Sequence, residues 1–302
     1  MTFNDNAQLD TSQVQSGGGG GAPGGLMVGG GVGGLIILII AVIFGLNPGQ
    51  TSTDPGALSQ GQVQPGGSQD PNAFTQCRTG ADANRSDTCR VIGTVNSVNA
   101  FWASELPRYG RTYTPATTVL YNGTTQSGCG TASNQVGPFY CPLDKQVYID
   151  ASFFQVLSTQ YGSSSGPLAQ EYVVAHEYGH HVQDLLGLLG KAQQDPQGAQ
   201  SGSVRTELMA DCLAGVWANH AATTKDKEGT TLLKPLTSAD IKDALSAASS
   251  VGDDRIQQKA QGQVSPETWT HGSAAARQKW FTTGYQSGDL NRCDTFSVAN
   301  VE

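Results

Sequence analysis

The chain has 302 residues and a net charge of −8, and only 14% of its residues are charged. This acidic balance, without any basic patch, excludes nucleic acid as an expected partner. No internal repeat is present, and the roughly 225 residues that follow position 76 are enough to form one sizeable hydrophobic core.

The N-terminal part divides into three segments by composition. Residues 1–25 are rich in glycine and are predicted to be disordered, and residues 47–76, dominated by Gly, Gln, Ser, Pro and Thr, are predicted to form a flexible linker. Residues 26–46 are apolar or glycine throughout and long enough to cross a hydrocarbon core of about 30 Å, which predicts a single transmembrane helix. The alternative is a cleaved signal peptide, but no basic segment precedes this stretch and Gly45-Leu-Asn-Pro-Gly49 is a poor cleavage site.

Six cysteines follow the predicted anchor. An even number without C-x-x-C spacing favours disulfide bonds and an oxidising compartment, so we expect residues 77–302 to form an extracytoplasmic domain. The neighbouring cysteines would close two short loops and the remaining two a long one: Cys77 with Cys89, Cys129 with Cys141, and Cys212 with Cys293. The alternative for Cys212 is an ordinary buried thiol.

Residues 77–302 are predicted to form one helix-rich α+β domain. Apolar residues at helical spacing and strand-like runs predict helices at 91–106, 238–251 and 273–286 and strands at 117–121 and 146–150. Residues 148–150 are our candidate for an edge strand along which an extended ligand could bind.

The most informative motif is the run His176-Glu177-Tyr178-Gly179-His180-His181, which fits H-E-x-x-H. Residues 168–189 have apolar residues at helical spacing, so His176 and His180 lie one turn apart on one face and are predicted to bind zinc. Glu177 is turned about 100° away, where a general base would border the metal. Two buried histidines on a helix are the alternative interpretation.

A catalytic zinc site needs a third protein ligand. The metzincin pattern is absent, because Gln183 and Leu186 occupy its glycine and histidine positions. The next candidate is Glu207, on a helix predicted to begin after Ser203, with Asp211 one turn later to accept the second N–H of a ligand histidine. The alternative is that these two carboxylates form a solvated helix face.

These motifs resemble the putative neutral zinc metallopeptidase family of bacterial envelope proteins, whose zinc site is similar to that of the gluzincins. The resemblance extends from about Cys77 to Phe296 and implies a zincin-like domain with one Zn²⁺ bound by His176, His180 and Glu207 and with Glu177 as catalytic base. Besides the hexapeptide and Glu207-Leu-Met-Ala-Asp-Cys212, it includes Phe139-Tyr-Cys-Pro142, Tyr148-Ile-Asp150, Gly252-Asp-Asp-Arg255, His271-Gly272, Trp280-Phe281 and Cys293-Asp294.

The expected activity is hydrolysis of a peptide or protein substrate by zinc-activated water. His271 is predicted to stabilise the oxyanion, with Tyr285 and Tyr178 as less favoured choices and a capping or surface histidine as the alternative interpretation. His181 is predicted to be structural, and His220 to lie on the surface.

Two other functions remain open at this point. A zinc hydrolase could act on a cell-wall amide, and a catalytically silent zinc protein could serve as an envelope scaffold or binding module. An intact Glu177 counts against the scaffold, because a structural zinc site does not require a base.

Overall fold

The computed structural model describes residues 2–17, 67–68 and 73–302. The strands are β1 (Val14–Gly17), β2 (Gly67–Ser68), β3 (Thr117–Tyr121), β4 (Thr124–Ser127), β5 (Gly130–Ser133), β6 (Phe139–Cys141) and β7 (Gln146–Asp150). The α-helices are α1 (Gly80–Ala83), α2 (Asp87–Glu105), α3 (Phe153–Thr159), α4 (Pro167–Leu185), α5 (Gly190–Gln194), α6 (Gly202–His220), α7 (Ser238–Ser250), α8 (Asp253–Gln261) and α9 (Ala274–Ser287). The helix-rich α+β class and both predicted strands are confirmed.

Five strands form a mixed sheet in the order β2-β1-β3-β7-β6. Strands β1, β3 and β7 are parallel, whereas β2 and β6 are antiparallel to their neighbours at the two edges. The two central strands β3 and β7 are buried on both faces, which explains why their sequences are apolar without regular alternation. The main core covers one face, and a smaller cluster that includes Ala132 of the β4–β5 hairpin covers the other.

The predicted substrate strand at 148–150 is only partly an edge. Strand β7 pairs with β3 along its whole length, and β6 pairs with its other side at Gln146, Val147 and Tyr148 but not at Ile149 and Asp150. Strand β6 is the last strand on this side of the sheet in the described part of the chain.

The prediction that residues 1–25 are disordered is wrong for residues 2–17. Phe3 and Ala7 are fully buried, and Val14 is 6% exposed. The ring of Phe3 packs so closely on α2 that a Cβ at Gly93 would lie 2.6 Å from it. The burial of these side chains and the pairing of β1 with β3 hold this segment in the domain, and the run of glycines begins only at its end.

The predicted linker also joins the fold at its C-terminal end, because β2 pairs with β1 and Phe74 packs against the main core. The predicted transmembrane helix at 26–46 lies outside the described residues. No helix in the described part of the chain is long and apolar enough to span a bilayer. Gly17 and Gly67 are direct partners in the sheet, so a single crossing of a membrane between them does not fit this pairing.

Helix α4 lies between α2 on one side and α6 and α7 on the other. Its Gly179 allows a close approach to α6, since a Cβ there would lie 3.0 Å from both the Cα and the carbonyl oxygen of Ala210. Helix α6 begins two residues earlier than expected from a cap at Ser203, because Ser201 is the cap and its hydroxyl accepts the N–H of Val204. All three predicted disulfide bonds are present: Cys77–Cys89, Cys129–Cys141 and Cys212–Cys293.

Candidate metal centre

Three side chains from α4 and α6 converge at one point. Glu207 Oε2 lies 3.2 Å from His176 Nε2, and Glu207 Oε1 lies 3.3 Å from His180 Nε2. One ligand atom from each of the three residues lies within 4.8 Å of the others. Two imidazole nitrogens and a carboxylate are the donor set of a catalytic zinc site with three protein ligands, so these residues fit the metal that the sequence predicts.

Both histidines are held with Nε2 facing this point. His176 Nδ1 lies 2.8 Å from Asp211 Oδ1, as the spacing of Glu207 and Asp211 predicts. His180 Nδ1 lies 2.9 Å from Gln183 Oε1, and the Gln183 amide donates to the carbonyl oxygen of Thr206 on α6. A hydrogen bond at Nδ1 fixes the tautomer that leaves Nε2 free to bind a metal.

The ionisation of Glu207 and His176 is that expected for a site that binds a metal ion. Burial alone would raise the pKa of Glu207, but the two histidines hold it well below its usual value, so this carboxylate is ionised. Burial alone would lower the pKa of His176, but the carboxylates of Asp211 and Glu207 raise it to about 10. The two carboxylates therefore favour positive charge at this point, which a bound metal ion would supply.

Sequence reasoning missed Arg277, which holds Asp211 in place. Its Nε donates to Asp211 Oδ2 over 2.8 Å, and its Nη2 donates to Asp211 Oδ1 over 3.0 Å and to the Tyr172 hydroxyl over 3.1 Å. Tyr172 in turn donates to Asp211 Oδ1. Burial opposes ionisation of Asp211, but Arg277 and His176 keep its pKa below the usual value. The only available signal was a single arginine within the small-residue run that starts α9.

Glu177 is 7% exposed and lines the same cleft as the three metal-site residues. Burial raises its pKa, while His176, His180 and the backbone N–H of Tyr140 on β6 favour its ionised form. This arrangement puts a carboxylate of raised proton affinity between the metal site and β6, which suits a general base.

His271 also lines this cleft, as the prediction of an oxyanion-stabilising role requires. Its Nδ1 lies 3.3 Å from Asp253 Oδ1, while Asp253 Oδ2 accepts three consecutive backbone N–H groups, from Thr270, His271 and Gly272. Burial alone would lower the pKa of His271, but Asp253 outweighs it and raises the pKa. Asp253, which the family resemblance includes within Gly252-Asp-Asp-Arg255 but without a predicted role, therefore fixes both the loop and the imidazole.

The other predicted side chains lie away from the reacting groups. His181 bonds to Tyr140 and to the carbonyl oxygen of Thr114 and does not line the cleft, which agrees with a structural role. Tyr178 is buried and bonds to Thr118, and Tyr285 is not in the cleft wall, so neither replaces His271. His220 is only half-buried, and its ring stacks on Phe101 while Nε2 lies 3.0 Å from the carbonyl oxygen of Gly288, so the predicted surface location is only partly correct.

The fold and the site together define a protein of the H-E-x-x-H type with a downstream glutamate ligand. Residues 4–296 match the family described as "Putative neutral zinc metallopeptidase", and the chain belongs to this family. Uncharacterized proteins of Mycobacterium tuberculosis and Mycobacterium bovis are 60% identical over 302 residues, which is all of both chains. The uncharacterized protein YpfJ of Escherichia coli is 44% identical over 200 residues, 65% of this chain and 66% of its own length. No solved structure shows significant similarity.

Proposed function

We propose that this chain is a zinc-dependent peptidase that hydrolyses peptide bonds with Glu177 as general base. The observation that carries the proposal is the convergence of His176 Nε2, His180 Nε2 and the Glu207 carboxylate beside Glu177 in one cleft. A zinc ion held by these three residues would supply a Lewis acid and lower the pKa of water toward about 7.

Side chains of the protein perform the proton transfers and stabilise the charge that develops during the reaction. Glu177 accepts the proton of the attacking water and returns it to the leaving amine. His271, whose Nδ1 is occupied by Asp253, has Nε2 available to donate to the oxygen that becomes negative in the transition state. The pair of Asp211 and Arg277 keeps His176 in the tautomer that leaves its Nε2 free.

The position of β6 beside Glu177 supports a peptide as the substrate. Pro138 and Phe139 line the cleft, and the next residue, Tyr140, contacts Glu177 through its backbone. An extended peptide can lie along such a strand with its backbone parallel to it, which brings a scissile bond past the base.

We also propose an extracytoplasmic location, because three disulfide bonds favour an oxidising compartment. The apolar segment 26–46 is the proposed site of contact with the membrane. The sequence predicts a single crossing of the membrane. We propose instead that residues 2–17 and 73–302 lie on the same side of the membrane.

The metal requirement is tested by removing zinc with a chelator and then adding it back. Cleavage of a broad peptide mixture should stop without zinc and return with it. Glu207→Ala should lower both zinc content and cleavage, because it removes the one carboxylate ligand. The matched control is Glu228→Ala, which removes an exposed glutamate that does not line the cleft and should change neither.

Two results would contradict the proposal. Full cleavage by the zinc-free protein would exclude a metal mechanism. Stoichiometric zinc with no cleavage of any peptide would exclude a peptidase and would favour a cell-wall amide substrate or a silent scaffold.

A further inference from the structure

The cleft wall beyond the metal centre is uncharged. Every charged or titrating imidazole, carboxylate and guanidinium group that lines the cleft belongs to the metal centre or to the residues that act with it. The rest of the wall is apolar or aromatic and comes from β6 and the connection before it, from α3, α4, α7 and α8, and from the residues directly after α3 and α7. It includes Phe139, Leu157, Val173, Val251 and Ile256.

Ile256 is the most informative residue of this wall. It is the only large apolar residue on α8, whose sequence is otherwise polar except for Ala260. Ile256 is half-buried and lines the cleft, but it is not among the residues that pack against the main core, unlike Val173 and Val251. Its apolar side chain therefore forms part of the cleft surface and does not pack in the main core.

Helix α8 links this wall to the reacting groups. Asp253 at its first position holds the His271 imidazole, and Ile256 follows three residues later on the same face. The same short helix therefore fixes the predicted oxyanion donor and presents an apolar surface next to it.

We propose that this wall is the specificity pocket for the substrate side chain that flanks the scissile bond, and that it accepts bulky aliphatic or aromatic residues. This inference rests on the proposed peptidase function. A carboxylate or ammonium group placed against Val173, Val251 and Ile256 would lose its hydration without gaining a partner, so charged residues are rejected. An apolar substrate side chain bound there would instead remove its own surface and that of the cleft wall from water, which is favourable.

The test uses zinc-loaded full-length protein and fluorogenic peptides that differ only in the residues on either side of the scissile bond. Peptides with Leu or Phe at one of these positions should be cleaved with kcat/KM at least about tenfold higher than peptides with Asp, Glu, Lys or Gly there. Ile256→Lys should reduce this preference by about tenfold or more and should improve cleavage of the Glu peptide relative to the Leu peptide. Val264→Lys places the same charge at an apolar residue that is 40% exposed and does not line the cleft, and it should leave the preference unchanged.

The outcomes separate this inference from the function on which it rests. Cleavage that depends on Glu177 but shows no preference for apolar residues would overturn the specificity pocket alone. An unchanged preference in Ile256→Lys, with zinc content equal to that of the unmodified protein, would do the same. No cleavage of any peptide by the zinc-loaded protein would overturn the peptidase proposal and this inference with it.

Discussion

Asp211 shows how much of the site depends on single residues that lie far apart in the sequence. Its two oxygens contact His176, Tyr172 and Arg277, and the residue itself is fully buried. A carboxylate without these partners would be costly to bury, so the pair with Arg277 is what allows Asp211 to stay ionised beside the metal site. The spacing from Glu207 predicted Asp211, but no spacing rule could predict Arg277, which is 66 residues away.

Glu171 is a buried carboxyl group without a hydrogen-bond partner in the described part of the chain. Its side chain is fully buried on α4, and neither carboxylate oxygen has a hydrogen-bond partner. Burial raises its pKa to about 8. The folded protein therefore holds this proton more tightly than the unfolded chain, where the pKa of a glutamate is about 4.3.

This difference predicts a pH-dependent stability. The contribution of Glu171 is fully present below about pH 4.3 and is lost as the pH rises toward about 8, because the ionised form is disfavoured only in the folded state. Glu171→Gln stays neutral at every pH, so its stability relative to the unmodified protein should increase from pH 5 to pH 9. Urea unfolding at both pH values measures this, and an equal difference between the two proteins at pH 5 and pH 9 would show that Glu171 does not titrate in this range.

At the scale of elements, the site depends on how closely α6 and α9 approach. A Cβ at Gly284 would lie 1.9 Å from the carbonyl oxygen of Cys212, and one at Gly215 would lie 2.1 Å from that of Phe281. Only glycine permits this backbone contact. The contact lies two turns after Arg277 on α9 and one turn after Asp211 on α6, so it sets the distance between those two charges.

Gly284→Ala should therefore separate the two helices, lower stability and weaken zinc binding through the loss of the Arg277–Asp211 pair. Gly190→Ala is the matched control, because that helical glycine has no atom within 4 Å of its would-be Cβ, and it should be neutral or slightly stabilising. Thermal unfolding and a zinc competition titration measure the two effects. Equal stability and equal zinc affinity of the two variants would contradict the role proposed for the close contact between α6 and α9.

The sequence predicted elements where a strong local pattern exists. Helical spacing and caps located α4, α7 and α9 to within a few residues, and loop closure identified the pairing of the cysteines. The order of strands could not be predicted, because β6 and β7 have similar apolar sequences and only long-range pairing makes one of them the edge. For the same reason, the sequence predicted a role for His271 but not for Asp253, which reaches it from the start of α8.

At the scale of the whole molecule, the N-terminal segment was the largest error of composition-based prediction. Glycines and polar residues dominate the average composition of residues 1–25. The folding of this segment depends instead on three apolar side chains, Phe3, Ala7 and Val14. The segment inserts as β1 between β2 and β3, so the sheet is assembled from both sides of the predicted anchor.

This assembly predicts that the two ends of the chain lie in the same compartment. Single cysteines introduced at the exposed positions Asn6 and Ala299 should react equally with a membrane-impermeant maleimide in intact cells. Labelling of Ala299→Cys in intact cells together with labelling of Asn6→Cys only after lysis would instead support a single crossing, with β1 on the opposite side from the catalytic domain.

We propose that His176, His180 and Glu207 bind zinc while Glu177 performs the proton transfer. The most direct measurement determines zinc content and peptide cleavage in the same preparation of the unmodified protein, Glu177→Gln and Glu171→Gln. The two variants make the same substitution in the same helix, but only Glu177 lines the cleft. We predict one zinc per chain in all three proteins, a loss of at least about 10²-fold in kcat for Glu177→Gln, and retained cleavage in Glu171→Gln at neutral pH. Undiminished cleavage by zinc-loaded Glu177→Gln would contradict the account.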